Sequence, residues 1–184
     1  MPHTGPAFAE MERLIPLFKS LEPKSLLYVG MRHDCAPWWQ KVFSSRIGAS
    51  KLAVLEIDIG NCNEFRKRKK DYDCDVYHGD VREIGQHVTP GQYDVIFWDH
   101  GPEHVSWEDL QKTTPNLIEY AGKILVYCCP LGVWPQGPEG GNVHEEHKNY
   151  VTTEQFTQLG LEIITTGKPG QENLGEIIGY KVKS

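Results

Sequence analysis

Seven short apolar stretches, most of them separated by helix-like sequence, constrain the fold more than any other feature of the chain. The first five are near-continuously hydrophobic, which is typical of strands covered on both faces of a parallel sheet. The pattern predicts an α/β protein with a doubly wound, mostly parallel, seven-stranded sheet and helices on both faces. The predicted strands cover residues 25–31, 51–58, 74–80, 93–99, 123–129, 161–167 and 175–183.

The last two stretches, LEIITTG and GEIIGYKVK, are joined by the turn-rich segment KPGQENL. A link of this length is too short for the helical crossover that parallel neighbours need, so it favours a hairpin. We therefore expect an antiparallel C-terminal strand at 175–183, lying beside both the fifth and the sixth strand.

Helix starts can be located from capping residues that are followed three positions later by a side chain able to bond back. The pairs are Asn61 with Glu64, Ser106 with Asp109, and Thr152 with Gln155. Before the first strand, apolar residues at helical spacing predict a helical extension over residues 1–22, which Pro16 should kink or split.

Length and composition limit the setting of the protein. A chain of 184 residues suits one domain, residues 1–184, and its net charge of -6 gives no general attraction for nucleic acid or for an anionic membrane. The five cysteines are odd in number and have no CxxC spacing, which favours reduced thiols. No stretch approaches the ~18 apolar residues of a membrane span. We expect a cytoplasmic protein that binds neither membrane nor nucleic acid.

Polar and flexible residues follow four of the predicted strands. Gly30 follows the first, Asp58 ends the second, Asp80 ends the third, and the fourth leads into DHGPEH at 99–104. Ligands of open α/β sheets bind beyond the carboxyl ends of the strands, near the point where the strand order reverses. The sequence therefore predicts a binding site at this edge of the sheet.

The strand-end segments VGMRHD, EIDIGN, HGD and WDHGPEH, in this order of elements, resemble a known family. Over roughly residues 23 to 183 the chain is similar to the class I (Rossmann-like) S-adenosylmethionine-dependent methyltransferases. The chain departs from their usual first motif, because Tyr28 and Asp34 stand where an acid and a second glycine are expected.

The resemblance implies that S-adenosyl-L-methionine is the cofactor. It places the ribose on Asp58, with Glu56 as the fallback, and the adenine near Asp80. The alternative role for either aspartate is that of a helix cap. The residues implied in cofactor binding are Gly30, Met31, Arg32, Asp58, Ile59, Asp80, Val81 and Asp99.

Methyl transfer needs an aligned nucleophile and a base for its proton, and imidazole is the natural base near neutral pH. We therefore interpret Asp99, His100 and His104 as catalytic, with a small-molecule hydroxyl or amine as acceptor. The alternative is a solvated loop. The long Gly- and Pro-rich segment 130–150 is typical of a binding loop, and its Trp134, His144 and His147 are candidates for substrate contact.

Three other interpretations of these residues compete with this one. A metal site is possible in principle, but no tight spacing such as HExxH is present, so we expect none. A nicotinamide-dependent oxidoreductase is disfavoured because no G-x-G-x-x-G follows any strand. A catalytically silent Rossmann-like module that binds S-adenosylmethionine or a nucleotide stays open. The residues that could supply metal ligands are Asp99, His100, Glu103, His104, His144 and His147.

Overall fold

Seven strands form one sheet in the computed structural model, which describes residues 6–35, 43–68, 73–138, 141–165 and 175–183. Their order is β3-β2-β1-β4-β5-β7-β6, and β1 to β5 are parallel. The strands are β1 Ser25–Val29, β2 Lys51–Glu56, β3 Cys74–His78, β4 Tyr93–Asp99, β5 Ala121–Leu131, β6 Glu162–Thr165 and β7 Gly175–Val182.

The strand order reverses at β1, which pairs with β2 on one side and β4 on the other. Successive connections leave the sheet in opposite directions at such a point, so the carboxyl ends of β1 and β4 border an open crevice. The residues that follow these two strands, Gly30 after β1 and His100 after β4, are among the predicted site residues.

The C-terminal strands confirm the predicted antiparallel arrangement. β7 pairs antiparallel with β5, where Val126 faces Tyr180, and with β6, where Ile164 faces Ile178. The link predicted between the last two strands lies outside the described residues.

Within the described ranges, four α-helices surround the sheet, and two of the three predicted caps are right. Ser106 caps α3 and Thr152 caps α4 with a full capping box. Asn61 is wrong as a cap, because Asp58 already accepts a hydrogen bond from the Asn61 backbone and α2 begins at Ile59. The helices are α1 Pro6–Leu21, α2 Ile59–Lys67, α3 Trp107–Tyr120 and α4 Thr153–Gln158.

Short turns of helix complete the connections. α1 continues through Pro16 without the split that was one predicted outcome, and the other outcome, a kink, stays a prediction. A proline removes one backbone donor from the helix ladder, and here the burial of Leu14 and Phe18 against the sheet holds the helix together. Three turns are 3₁₀-helical and one is π-helical: Val81–Gln86, Pro102–His104, Val143–Glu145 and Phe43–Ile47.

Apolar side chains cover both faces of the sheet. Phe18, Phe65 and Phe97 belong to one core, while Trp98 and Tyr127 belong to the other. β3 departs from the prediction of full burial, because it is an edge strand in which only Cys74 is buried. Within the described part of the chain, no helix has the length and apolar character needed to cross a bilayer. The single-domain division stays a prediction.

Candidate functional site

A cleft of about 880 Å³ opens at the carboxyl ends of the central strands. Ile59 is not among its lining residues, since it lies half exposed in the first turn of α2. The individual roles of the lining residues stay predictions. The predicted site residues that line the cleft are Gly30, Met31, Arg32, Asp58, Asp80, Val81, Asp99, His100, His104, Trp134, His144 and His147.

The turn after β1 is shaped by Gly30, whose φ of 77° lies in the left-handed region. Its backbone N–H donates to the Leu55 carbonyl at 2.9 Å, which ties the turn to β2. Arg32 follows on the exposed side and pairs with Asp34 at 3.1 Å. The turn therefore exposes backbone to the cleft, although the chain lacks the usual second glycine.

Asn61 joins the two sides of the cleft floor, a role that sequence reasoning missed. Its side-chain amide donates to the Met31 carbonyl and to Glu56 Oε2, each at 2.8 Å, and its oxygen accepts from the His33 backbone at 2.9 Å. Glu56 is buried, which raises the pKa of its carboxyl group, and its Oε1 accepts from the Asp58 backbone at 2.7 Å. Because Glu56 is engaged in this way, Asp58 is the more accessible acid.

Asp58 and Asp80 both cap the helical turns that follow them. Asp58 Oδ1 accepts from the Asn61 backbone at 2.7 Å, and Asp80 Oδ1 accepts from the Arg82 backbone at 2.9 Å. The Arg82 guanidinium also binds both oxygens of Asp80 and reaches Asp109 at 2.8 Å. Burial opposes ionisation of Asp80, but the bonds from Arg82 outweigh it and lower the pKa of that carboxyl group. The cap leaves Asp58 with its second oxygen outside the helix ladder.

Asp99 ends β4 as a buried carboxylate, 8% exposed. The Tyr28 phenol donates to Asp99 Oδ2 at 2.6 Å, while Oδ1 receives no hydrogen bond from the described residues. Burial raises the pKa of Asp99, and burial followed by the Asp99 charge raises that of Tyr28. Tyr28 therefore supplies a donor at the position where the family pattern has an acid.

His100 begins a strained turn at the mouth of the cleft. Its φ of 47° is unusual for a residue with a Cβ, and its N–H donates to the Cys128 carbonyl at 2.7 Å. Gly101 follows because a Cβ there would overlap the Trp98 ring. The side chain is 48% exposed, and its Nδ1 lies 3.5 Å from Glu103 Oε1.

The charge state of His100 follows from its acidic neighbours. Burial opposes a charged ring, but Glu103 and Asp99 outweigh this and raise the pKa of His100 to about 10. The acidic neighbours therefore favour the protonated imidazolium form of the ring. In this state His100 donates hydrogen bonds and cannot accept a proton.

Glu103 fixes the loop that covers the cleft. Its carbonyl accepts from the backbones of Lys148 at 2.8 Å and Asn149 at 3.1 Å, so the segment after β5 folds back onto the turn after β4. The rings of His104 and His147 meet edge to face, 4.9 Å between centroids. The loop thereby brings two histidines together that are far apart in the sequence.

Trp134 and His144 lie on the outer part of the same loop. Trp134 is 44% exposed and donates from its indole to the Leu131 carbonyl at 3.1 Å. His144 is exposed on the Val143–Glu145 turn. Both side chains line the cleft, where an acceptor could contact them.

No protein-family model and no curated protein matches the chain in sequence. Solved structures do match it. One is a SAM-dependent methyltransferase from Archaeoglobus fulgidus, with a TM-score of 0.65, 14% identity, and coverage of 95% of this chain and 92% of that chain.

A second is the plantazolicin methyltransferase BamL in complex with SAH and a triazolic desmethylPZN analog, with a TM-score of 0.61, 13% identity, and coverage of 96% and 89%. A third, at a TM-score of 0.60, 9% identity, and coverage of 94% and 90%, is a protein from Rhodobacter sphaeroides proposed to be a Zn-dependent alcohol dehydrogenase.

Most of the matching structures are methyltransferases that use S-adenosylmethionine. At 9–14% identity the likeness concerns the fold alone. The parallel strands, the reversal at β1 and the antiparallel β7 all agree with it. The chain therefore has the fold of the class I (Rossmann-like) S-adenosylmethionine-dependent methyltransferases.

Proposed function

We propose that the protein transfers the methyl group of S-adenosylmethionine to a hydroxyl or amine of a small-molecule acceptor. The observation that carries this proposal is the convergence of Asp99, His100 and His104 on one cleft at the reversal point of the sheet. Buried ionisable groups gathered in a cleft of this size are typical of a reaction site.

The cofactor would extend across the ends of β1, β2 and β3. Its amino-acid portion would lie over the Gly30 turn, its ribose hydroxyls would bond to Asp58, and its adenine would pack near Val81. The capping bond of Asp58 uses Oδ1 only, which is compatible with a ribose on Oδ2. BamL, which shares the fold, was crystallised with S-adenosylhomocysteine.

In the reaction, the acceptor's lone pair forms a bond to the methyl carbon while the carbon–sulfur bond breaks and its electrons stay on sulfur. The acceptor's proton passes to a base. The positive sulfonium becomes a neutral thioether, so a nearby negative charge favours the substrate cofactor over the product. Asp99, which is buried and borders the cleft, would supply that charge.

His104 is the better candidate for the base. Its Nδ1 contacts the Glu146 carbonyl at 3.2 Å, and a carbonyl only accepts, so the proton lies on Nδ1. In the neutral ring, Nε2 then carries a lone pair. The raised pKa of His100 favours its protonated form, which would instead orient the acceptor.

The test combines calorimetric titration and turnover. S-adenosylmethionine and S-adenosylhomocysteine should each bind at one site per chain, and a panel of small hydroxyl and amine acceptors should yield a methylated product. His104→Asn should lower turnover by ~10²-fold with little change in cofactor affinity. His78→Asn is the matched control, because this exposed histidine is not among the cleft-lining residues.

The outcomes separate the competing functions. Binding of neither sulfur nucleotide would remove the proposal, and binding of NAD in their place would favour an oxidoreductase. Tight binding without turnover on any acceptor would favour the silent module, which the departures at Tyr28 and Asp34 make a real alternative.

A further inference from the structure

Glu103 has a carboxylate whose burial the methyl-transfer proposal leaves unexplained. The residue is 2% exposed, and neither side-chain oxygen receives a hydrogen bond from the described residues. The nearest ring nitrogens lie at 3.5 Å in His100 and 3.9 Å in His104, which are long for hydrogen bonds. The half-exposed His100 ring offsets the charge of Glu103 only in part at this distance, so a second cation would stabilise the buried carboxylate.

Two histidines next to this carboxylate make the same kind of hydrogen bond. The Nδ1 atom of His104 contacts the Glu146 carbonyl at 3.2 Å, and that of His147 contacts the Trp134 carbonyl at 2.6 Å. Because a carbonyl only accepts, both rings donate from Nδ1. Each neutral ring then has its lone pair on Nε2.

This arrangement is the usual one around metal-binding imidazoles. A ligating histidine commonly donates its other N–H to a backbone carbonyl or carboxylate, which fixes the tautomer and aims the lone pair. One potential ligand atom from each of Glu103, His104 and His147 lies within 4.8 Å of the others. Ligands about 2.1 Å from an ion lie about 3 to 3.5 Å apart, so small side-chain movements would complete the set.

We propose that Glu103, His104 and His147 bind a divalent transition-metal ion. Two imidazoles and one carboxylate suit zinc or iron(II) much better than magnesium or calcium, which prefer oxygen ligands. Three protein ligands leave an open coordination position, as in catalytic rather than structural sites. All three residues border the cleft, so the open position would face a bound acceptor.

The ion-binding site does not depend on methyl transfer, but its use in catalysis rests on the proposed function. An ion there would hold the acceptor's hydroxyl oxygen and lower the pKa of that hydroxyl. In that case the ion, and not His104 acting as a base, would promote the loss of the acceptor's proton. Backbone hydrogen bonds from Lys148 and Asn149 to the Glu103 carbonyl hold the loop that carries His147, which keeps His147 close to Glu103 and His104.

The direct test is metal uptake by the full chain after chelator treatment. Zinc should bind at one ion per chain in calorimetry, cobalt(II) should give the visible absorption of an imidazole-ligated ion, and magnesium should bind at least 100-fold more weakly. His104→Ala, His147→Ala and Glu103→Gln should each weaken zinc binding at least tenfold. His78→Ala should leave it unchanged.

Glu103→Gln also guards against a folding artefact. It keeps the side-chain shape and removes a buried charge that receives no hydrogen bond from the described residues, and the ion pair lost with it is to the half-exposed His100 ring, so the metal-free variant should unfold at a temperature close to that of the parent. Zinc should raise the unfolding temperature of the parent but not of this variant.

Distinct outcomes separate the two proposals. Absence of saturable zinc or cobalt uptake, equal binding of magnesium, or uptake that survives all three ligand substitutions would overturn the metal site. Metal uptake by a chain that neither binds S-adenosylmethionine nor methylates any acceptor would support the site and remove methyl transfer.

Discussion

The hydrogen bond between Tyr28 and Asp99 offers the sharpest test of the site's energetics. Tyr28→Phe removes only the phenolic oxygen of Tyr28, which lies on β1, the neighbour of β4 in the sheet. That phenol donates a hydrogen bond to Asp99 at 2.6 Å. Both groups are buried, so water replaces the lost donor poorly in the folded state. We expect the substitution to lower the free energy of unfolding and to leave the fold intact.

The expected loss is about 2 kcal/mol, because a hydrogen bond to a charged group contributes ~1.5–3 kcal/mol. The unfolding entropy of ~2.1 cal/mol/K per residue, applied to 184 residues, gives about 0.39 kcal/mol/K. The unfolding temperature should therefore fall by about 5 °C.

Tyr127→Phe is the matched control. Its phenol is equally buried but contacts the neutral Thr114 hydroxyl at 3.0 Å, so its removal should lower stability by only about 1 kcal/mol. Urea unfolding of both variants, and of Tyr28→Phe in an Asp99→Asn background, forms a double-mutant cycle. In that background the loss at Tyr28 should also fall to about 1 kcal/mol.

The pH dependence has a definite sign. Burial raises the pKa of Asp99 in the folded state, so the fold loses stability as pH rises from the ordinary carboxyl value of ~3.9 through the raised value. The Tyr28 phenol offsets part of this loss. The difference between parent and Tyr28→Phe should therefore grow with pH across this window. Equal losses for Tyr28→Phe and Tyr127→Phe, with no coupling to Asp99, would refute the reasoning.

Three further predictions concern the cofactor, the acceptor and an ion pair. Asp58→Ala should weaken S-adenosylhomocysteine binding about tenfold or more in calorimetry, whereas Lys67→Ala on the same helix should not. Trp134→Ala should raise KM for the acceptor while the cofactor dissociation constant stays unchanged. Arg82→Ala should lower stability by roughly 1 kcal/mol at neutral pH, and urea titrations should show this loss shrinking below about pH 4, because the pKa of Asp80 is lowered in the fold.

The strands and two helix starts were predictable because their causes are local. A buried parallel strand needs a continuous apolar run, and the Ser106 and Thr152 caps depend on residues three positions away. The Asn61 cap failed because Asp58 offers the same chemistry earlier in the segment and takes the role. The partial exposure of β3 depends on the strand order, which no short window of sequence encodes.

The features of the site also separate into those with a local cause in the sequence and those without one. The ionisable cluster after β4 was predictable because it follows a buried strand directly. The approach of His147 to His104 was not, because it depends on backbone bonds from Lys148 and Asn149 to the Glu103 carbonyl. Backbone hydrogen bonds do not depend on side-chain type, so they leave no pattern in the sequence. Metal ligands that such bonds bring together therefore show none of the spacing of a known metal motif.

The charges of the cleft connect the two proposals. Asp99, Glu103 and Glu176 are each less than a tenth exposed and all border the same space, where His100 forms an ion pair with Glu103. Buried carboxylates such as Asp99 and Glu103 are unfavourable unless positive charge approaches them. A sulfonium beside Asp99 and a divalent ion beside Glu103 would meet this need at two different places, since Asp99 bonds to β1 and Glu103 faces the loop after β5. This separation is why cofactor affinity and metal uptake can be tested independently, with Asp99 and Glu103 as the residues that tell them apart.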